Sequence, residues 1–233
     1  MATPLLLLPG LLCDARLWRD ALPALEGLAA PRVADLTRHD SLAGMAANAL
    51  ALMEDAPHFA LAGLSMGGYV ALEIMRRAPA RVSHLALLDT SARPDTAEQT
   101  ARRRGLLELS AQGQFRGVTP RLLPLLVHPD RAEGPLAEEV MAMAERVGPA
   151  AFLRQQTAIM NRPDARPHLG AIAVPTLVAC GEADALTPPE LHAEMAALIP
   201  GARLHHFAGA GHLPPMEVPE AAGAALRAWL AAG

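Results

Sequence analysis

Hydrophobic positions along the chain alternate between two periodicities. Short unbroken apolar runs at 4–8, 58–64, 84–89 and 174–180 read as buried strands, and further strand-like runs lie at 32–36 and 203–208. Between them, apolar residues recur at helical spacing over 15–29, 42–55, 66–77, 189–198 and 219–231. Strands that alternate with helices predict right-handed crossovers and a parallel sheet with helices on both faces, an α/β fold.

From about residue 90 to 170 the rhythm changes. Strand signals disappear, and arginine-bearing helical segments at 95–111, 120–127, 135–147 and 149–160 take their place. The domain organisation expected is a core of residues 1–89 and 171–233 interrupted by a helical insertion at 90–170.

Composition narrows the chemistry. A chain of 233 residues accommodates one α/β core with an insertion. Its net charge of −4 is unclustered, which argues against nucleic acid. All 20 basic residues are arginine. A chain without lysine has no Schiff-base lysine, hence no pyridoxal-phosphate mechanism, and no Walker A loop. Two cysteines, Cys13 and Cys180, make no disulfide framework, and no Cys/His spacing resembles a zinc site, so no cofactor is expected. The apolar start at 5–8 has no basic flank and is broken by Pro9-Gly10, so it reads as a strand and not a signal peptide. No run approaches the roughly 18 apolar residues of a membrane helix, and the expected location is cytoplasmic.

Gly63-Leu64-Ser65-Met66-Gly67 stands between the run at 58–64 and the helical pattern that begins at Met66. A G-x-S-x-G pentapeptide in a strand–turn–helix setting exposes its serine as a nucleophile. The turn is tight enough that residues two before and two after the serine must lack side chains, which glycine meets. The alternative is a glycine-rich turn with an idle surface serine, which the flanking strand and helix disfavour.

A serine hydroxyl requires a histidine base and an orienting carboxylate. Of nine histidines, His58 and His84 open strand-like runs, His205 and His206 lie within one, His192 is on a helix, and His39, His128 and His168 lack a glycine-rich frame. His212, in Gly209-Ala210-Gly211-His212, leaves a strand end on a flexible loop and is the candidate base. Asp184, just past the run at 174–180, is the candidate carboxylate. Glu182 stands two residues nearer the strand, and Asp89, at the end of another strand, is the runner-up. A turn-forming role for Asp184 is compatible with the catalytic one. The chain order Ser65, Asp184, His212 fits a nucleophile that comes first on an α/β sheet.

These stretches, together with Leu5-Leu6-Leu7-Leu8-Pro9-Gly10, resemble the α/β-hydrolase family over nearly the whole chain. The resemblance implies a six-stranded sheet of order 2-1-3-4-5-6, a trimmed form of the family's eight strands, with 90–170 inserted as a lid over Ser65. It also implies an oxyanion hole from the backbone N–H groups of Leu11 and Met66, with Pro9 in place of the family's common histidine. Met141, Met143, Met160, Phe115 and Phe152 of the insertion either line an acyl site or pack the insertion onto the body. Its arginines, Arg102, Arg103, Arg104, Arg116, Arg121, Arg154, Arg162 and Arg166, either anchor a substrate anion or form a solvated face paired with glutamates, the reading surface charge runs favour.

The expected activity is therefore that of a serine hydrolase on a small carboxylic ester, thioester or lactone, acting on a small-molecule acyl substrate as a monomer or homodimer. The same fold also supports C–C bond hydrolysis, acyl transfer or lyase chemistry. A receptor-like binding protein is the alternative from another class, and it has no need of a complete triad.

Overall fold

The computed structural model describes residues 2–232, so Met1 and Gly233, which close the two expected core segments, lie outside the described residues. Six strands form one parallel sheet: β1 (Thr3–Leu8), β2 (Ala29–Val33), β3 (Phe59–Leu64), β4 (Val82–Leu88), β5 (Thr176–Gly181) and β6 (Arg203–Phe207). Their spatial order is β2-β1-β3-β4-β5-β6, as the sequence implied. Every residue of β3 and β5 is buried, which explains why these strands read as unbroken apolar runs. The edge strand β6 is exposed along most of its length.

The described residues also form ten α-helices: α1 (Arg16–Arg19), α2 (Leu42–Ala51), α3 (Met66–Arg77), α4 (Ala97–Ala111), α5 (Leu123–Leu126), α6 (Pro135–Met160), α7 (Arg166–Leu169), α8 (Pro189–Leu198), α9 (Pro214–Glu217) and α10 (Pro219–Leu230). Alternate strand residues face opposite layers. Leu6, Leu8, Leu61, Leu85, Leu87 and Val178 pack with Met45 of α2, Val70 and Ile74 of α3 and Met195 of α8. Leu5, Leu7, Ala62, Ala86, Leu177 and Ala179 pack with Leu17 and Trp18 of α1 and Leu226 and Trp229 of α10.

Two expected elements differ. The helix over 15–29 is a single turn followed by a 3₁₀ turn at Leu22–Leu25, because Pro23 interrupts the ladder and Gly27 (φ 75°) reverses the chain. The second strand lies at Ala29–Val33 instead of 32–36, with Ala29 opposite Thr3. Pro31 is tolerated within it because β2 is the sheet's edge, where one row of N–H groups has no strand partner.

Helices α4 to α7 fill the segment between β4 and β5. Gly148 (φ 77°, ψ 176°) with Pro149 breaks α6 between the two stretches read from the sequence as 135–147 and 149–160. This segment packs into both layers beside the sheet: Leu123, Val127, Val140 and Met143 join one, and Ala158, Ile159 and Leu169 join the other. No helix among the described residues is long and apolar enough to cross a membrane.

Candidate active site

Ser65 sits between the last residue of β3 and the first of α3, with φ 54° and ψ −116°. A non-glycine residue held there stores on the order of 1–3 kcal/mol of strain, so its surroundings must hold it. Ser65 N–H donates to the Leu88 carbonyl (3.0 Å), and its own carbonyl accepts from Gly68 N–H (2.9 Å) and Thr90 Oγ1–H (2.7 Å). The flanking glycines are sterically required. A Cβ on Gly67 would lie 2.0 Å from the Leu8 carbonyl oxygen, and one on Gly63 would lie 2.3 Å from that of Gly67. The serine is partly exposed, at the carboxyl edge of the sheet.

The structure brings Asp184 and His212 together. His212 Nδ1–H donates to Asp184 Oδ2 across 2.8 Å, and both residues are buried. Asp184 Oδ1 accepts the N–H groups of Leu186 (2.9 Å) and Thr187 (3.0 Å), while Oδ2 also accepts Thr187 Oγ1–H (2.7 Å). Burial pushes the Asp184 carboxyl up, but the His212 charge and these hydrogen bonds outweigh it and hold the group well below the usual carboxylate range. The turn role and the histidine contact coexist: Oδ1 takes the backbone N–H groups, and Oδ2 takes both His212 and the Thr187 hydroxyl. Glu182, weighed for the same role, is exposed. Ser65 Oγ and the His212 ring share no hydrogen bond among the described residues.

Several residues that frame the site were invisible from sequence. Glu217, buried in α9, accepts the N–H groups of Gly211 (3.0 Å) and Leu213 (3.0 Å) on either side of His212, and that of His128 (2.6 Å). His192 Nε2 accepts Thr90 N–H (2.9 Å), so its Nδ1–H is left to donate to the Pro188 carbonyl (3.3 Å). Burial lowers its pKa to about 4 and keeps the ring neutral. A chain of contacts thus runs from the Asp184 loop through His192 and Thr90 to the Ser65 backbone.

Two backbone donors near Ser65, Met66 N–H, the first of α3, and Leu11 N–H, are left without acceptors among the described residues. Residues 10–13 form a turn closed by Cys13 N–H to the Gly10 carbonyl (3.2 Å), with Leu12 at φ 58°. Gly10 stands against the serine, since a Cβ there would lie 3.4 Å from Ser65 Cβ. Gln155 of α6, fully buried, holds this turn: its Oε1 accepts Leu12 N–H (3.1 Å) and its Nε2–H donates to the Leu36 carbonyl (3.3 Å). Gln155→Leu leaves both backbone groups buried without partners, so unfolding in denaturant is expected to show a loss of roughly 1–3 kcal/mol. Its kcat is expected to fall with it, because the strained Leu12 turn loses its anchor.

Four of the arginines in residues 90–170 are engaged, three with acids of the same segment and one with a backbone carbonyl outside it. Arg103 and Arg162 both pair with buried Asp95 (2.8 and 2.5 Å), Arg154 Nε donates to the Thr37 carbonyl (2.7 Å), and Arg166 pairs with Asp164 (2.6 Å). Among the described residues none of the eight arginines singled out from the sequence pairs with a glutamate of residues 90–170; Glu139 accepts instead from Arg146 (3.3 Å), which also pairs with Asp14 (2.9 Å). Phe152 and Phe115 (ring centroids 5.3 Å apart) pack with Leu11, Leu12, Ala144 and Val147. Met143 is instead buried in the body's core. Both cysteines are free and buried, and burial pushes the Cys13 thiol up to about 12. Asp89, Asp184 and His212 each bring a possible ligand atom within 4.8 Å of the others, and Asp184 and His212 are hydrogen-bonded to each other.

A model of the alpha/beta hydrolase family matches residues 5–226. A pimeloyl-[acyl-carrier protein] methyl ester esterase of Neisseria meningitidis serogroup C is 32% identical over 188 residues, which span 78% of this chain and 73% of that protein. A thermophilic esterase from Thermogutta terrifontis, solved with malate bound, superposes with a TM-score of 0.90 at 30% identity, covering 99% of this chain and 90% of the other. An enol-lactonase from Burkholderia xenovorans has the same fold, with a TM-score of 0.87 at 24% identity over 99% of this chain and 92% of its own.

Proposed function

Because the chain belongs to the alpha/beta hydrolase family, we propose that it hydrolyses a small carboxylic ester, thioester or lactone through an acyl-enzyme on Ser65. One observation carries the reading: a strained, partly exposed Ser65 beside unpaired N–H groups, at the sheet edge that also holds the Asp184–His212 pair. The similarity to proteins named as esterases supports ester hydrolysis over the other reactions of this fold.

In this reading His212 Nε2 takes the Ser65 hydroxyl proton as Oγ attacks the carbonyl carbon. The carbonyl electrons move to oxygen, and the Leu11 and Met66 N–H groups stabilise that oxyanion, an effect worth several kcal/mol for a donor pair of this kind. Collapse expels the alkoxide or thiolate, which takes the proton from His212. A water then gives its proton to His212 as it attacks the acyl carbon; the acyl–Oγ bond breaks, Ser65 Oγ takes that proton back from His212, and the acid leaves. Asp184 keeps the Nδ1 proton in place throughout, so Nε2 stays free to accept. Residues 90–170 act as the cap, and Phe115, Phe152, Val147 and Leu11 give the acyl group an apolar wall beside the oxyanion donors.

The test is a chain-length series of p-nitrophenyl esters. Turnover with a maximum at short to medium acyl length is expected. No hydrolysis of any ester, thioester or lactone offered would contradict the proposal.

A further inference from the structure

Asp89, the runner-up carboxylate, occupies the position after β4 and is fully buried, with φ 45°. Its N–H donates to the Ala179 carbonyl (2.9 Å), and its Oδ1 accepts Gly181 N–H (2.9 Å), which ties β4 to the end of β5. Its Oδ2 is sealed from solvent and has no partner among the described residues as an acceptor. Such an atom is costly in a dry interior unless it carries a proton and has somewhere to give it.

The acceptor is at hand. One oxygen of Asp89, one of Asp184 and a ring nitrogen of His212 all lie within 4.8 Å of one another. The charged and titratable groups that face Asp89 are Asp184 in the loop after β5, His212 after β6, Glu217 in α9 and Cys180 in β5. His192 of α8 faces the neighbouring Thr90 N–H. Two carboxylates this close cannot both stay ionised away from water. The donors decide between them: Asp184 collects two N–H groups, a hydroxyl and the imidazole, whereas Asp89 has one N–H.

We propose that Asp89 stands in the folded protein as a neutral carboxylic acid whose Oδ2–H donates to the Asp184 carboxylate, making it a positioning residue behind the Asp184–His212 pair. Burial first, and then the Asp184 charge, push the Asp89 carboxyl well above its usual range, in keeping with this arrangement. The hydrogen bond draws charge from Asp184. Asp184 then orients His212 while holding the imidazolium less tightly than a fully charged carboxylate would. The role in catalysis rests on the serine-hydrolase reading; the proton on Asp89 does not.

Two variants separate the roles. Asparagine reproduces the proposed pattern, an oxygen for Gly181 N–H and an N–H for Asp184, and it tolerates positive φ. Glycine removes the carboxyl without straining the backbone. Infrared spectra of the wild type at neutral pH are expected to show a protonated carboxyl stretch that shifts in D₂O and vanishes in Asp89→Asn. Asp89→Gly is expected to lower kcat/KM for a p-nitrophenyl ester on the order of tenfold. It should also move the acid limb of the pH profile upward, by on the order of one unit, with Asp89→Asn restoring both. Absence of the carboxyl band would overturn the proposal, as would an Asp89→Asn enzyme as impaired as Asp184→Asn. If Ser65→Ala kept full turnover while the band persisted, the serine-hydrolase reading and the catalytic use of Asp89 would fall, and the buried proton would stand.

Discussion

Ser65→Ala is expected to lower kcat for ester hydrolysis by roughly 10⁴- to 10⁶-fold, the range over which loss of a serine nucleophile leaves only binding and oxyanion stabilisation. Replacing the hydroxyl should cost little stability. Ser65 Oγ makes no hydrogen bond among the described residues, while the bonds that hold the turn use the Ser65 backbone and survive the change. The alanine variant should therefore melt close to the wild type and still bind substrate. A fall in activity accompanied by unfolding would point to the turn; a fall without it points to the hydroxyl. The two readouts together, kcat and the melting midpoint, make the assignment.

Asp184→Asn comes next, with an expected loss on the order of 10⁴-fold in kcat. The side chain's two oxygens have different partners, and this fixes how an amide would sit. Leu186 and Thr187 N–H groups face Oδ1, so the asparagine oxygen goes there and its NH₂ turns to His212. Nδ1 must then accept in place of donating. The ring proton moves to Nε2, the nitrogen that has to take the serine proton, and the base is lost in a site whose geometry is intact. If Asp89 were the working carboxylate, Asp184→Asn would be nearly silent, so the kinetics of this one variant separate the two acids.

Much of the fold was legible because a covered parallel sheet makes each central strand an uninterrupted apolar run. Strands β3, β4 and β5 and helices α3 and α8 were placed within about two residues of their ends, within the usual uncertainty of such boundaries. The errors came where local pattern gave way to tertiary context. Alanine and leucine over residues 15–29 imitate helical spacing, but Pro23 and Gly27 break it, and Ala29 is already pairing with Thr3. Strand β2 was displaced because Pro31 looks like a strand breaker, which it is not on a sheet edge.

The candidate site divides in the same way. Ser65, Asp184 and His212 announce themselves through glycines and strand ends, which are local features. The groups that support them do not. Gln155 is 143 residues from the Leu12 N–H it binds, and His192 is 102 residues from Thr90. A glutamine or histidine on a helix carries no local mark of such a contact. Glu217, five residues past His212 at the end of α9, carries no mark either, and only the fold shows it clasping both neighbours of that histidine.

The measurement closest to the central claim is covalent labelling with a fluorophosphonate, read by peptide mass spectrometry. The account predicts one phosphonyl adduct, on the peptide containing Ser65, and none on the Ser65→Ala or His212→Ala proteins. An adduct on another residue, or none on a protein that still hydrolyses esters, would contradict it.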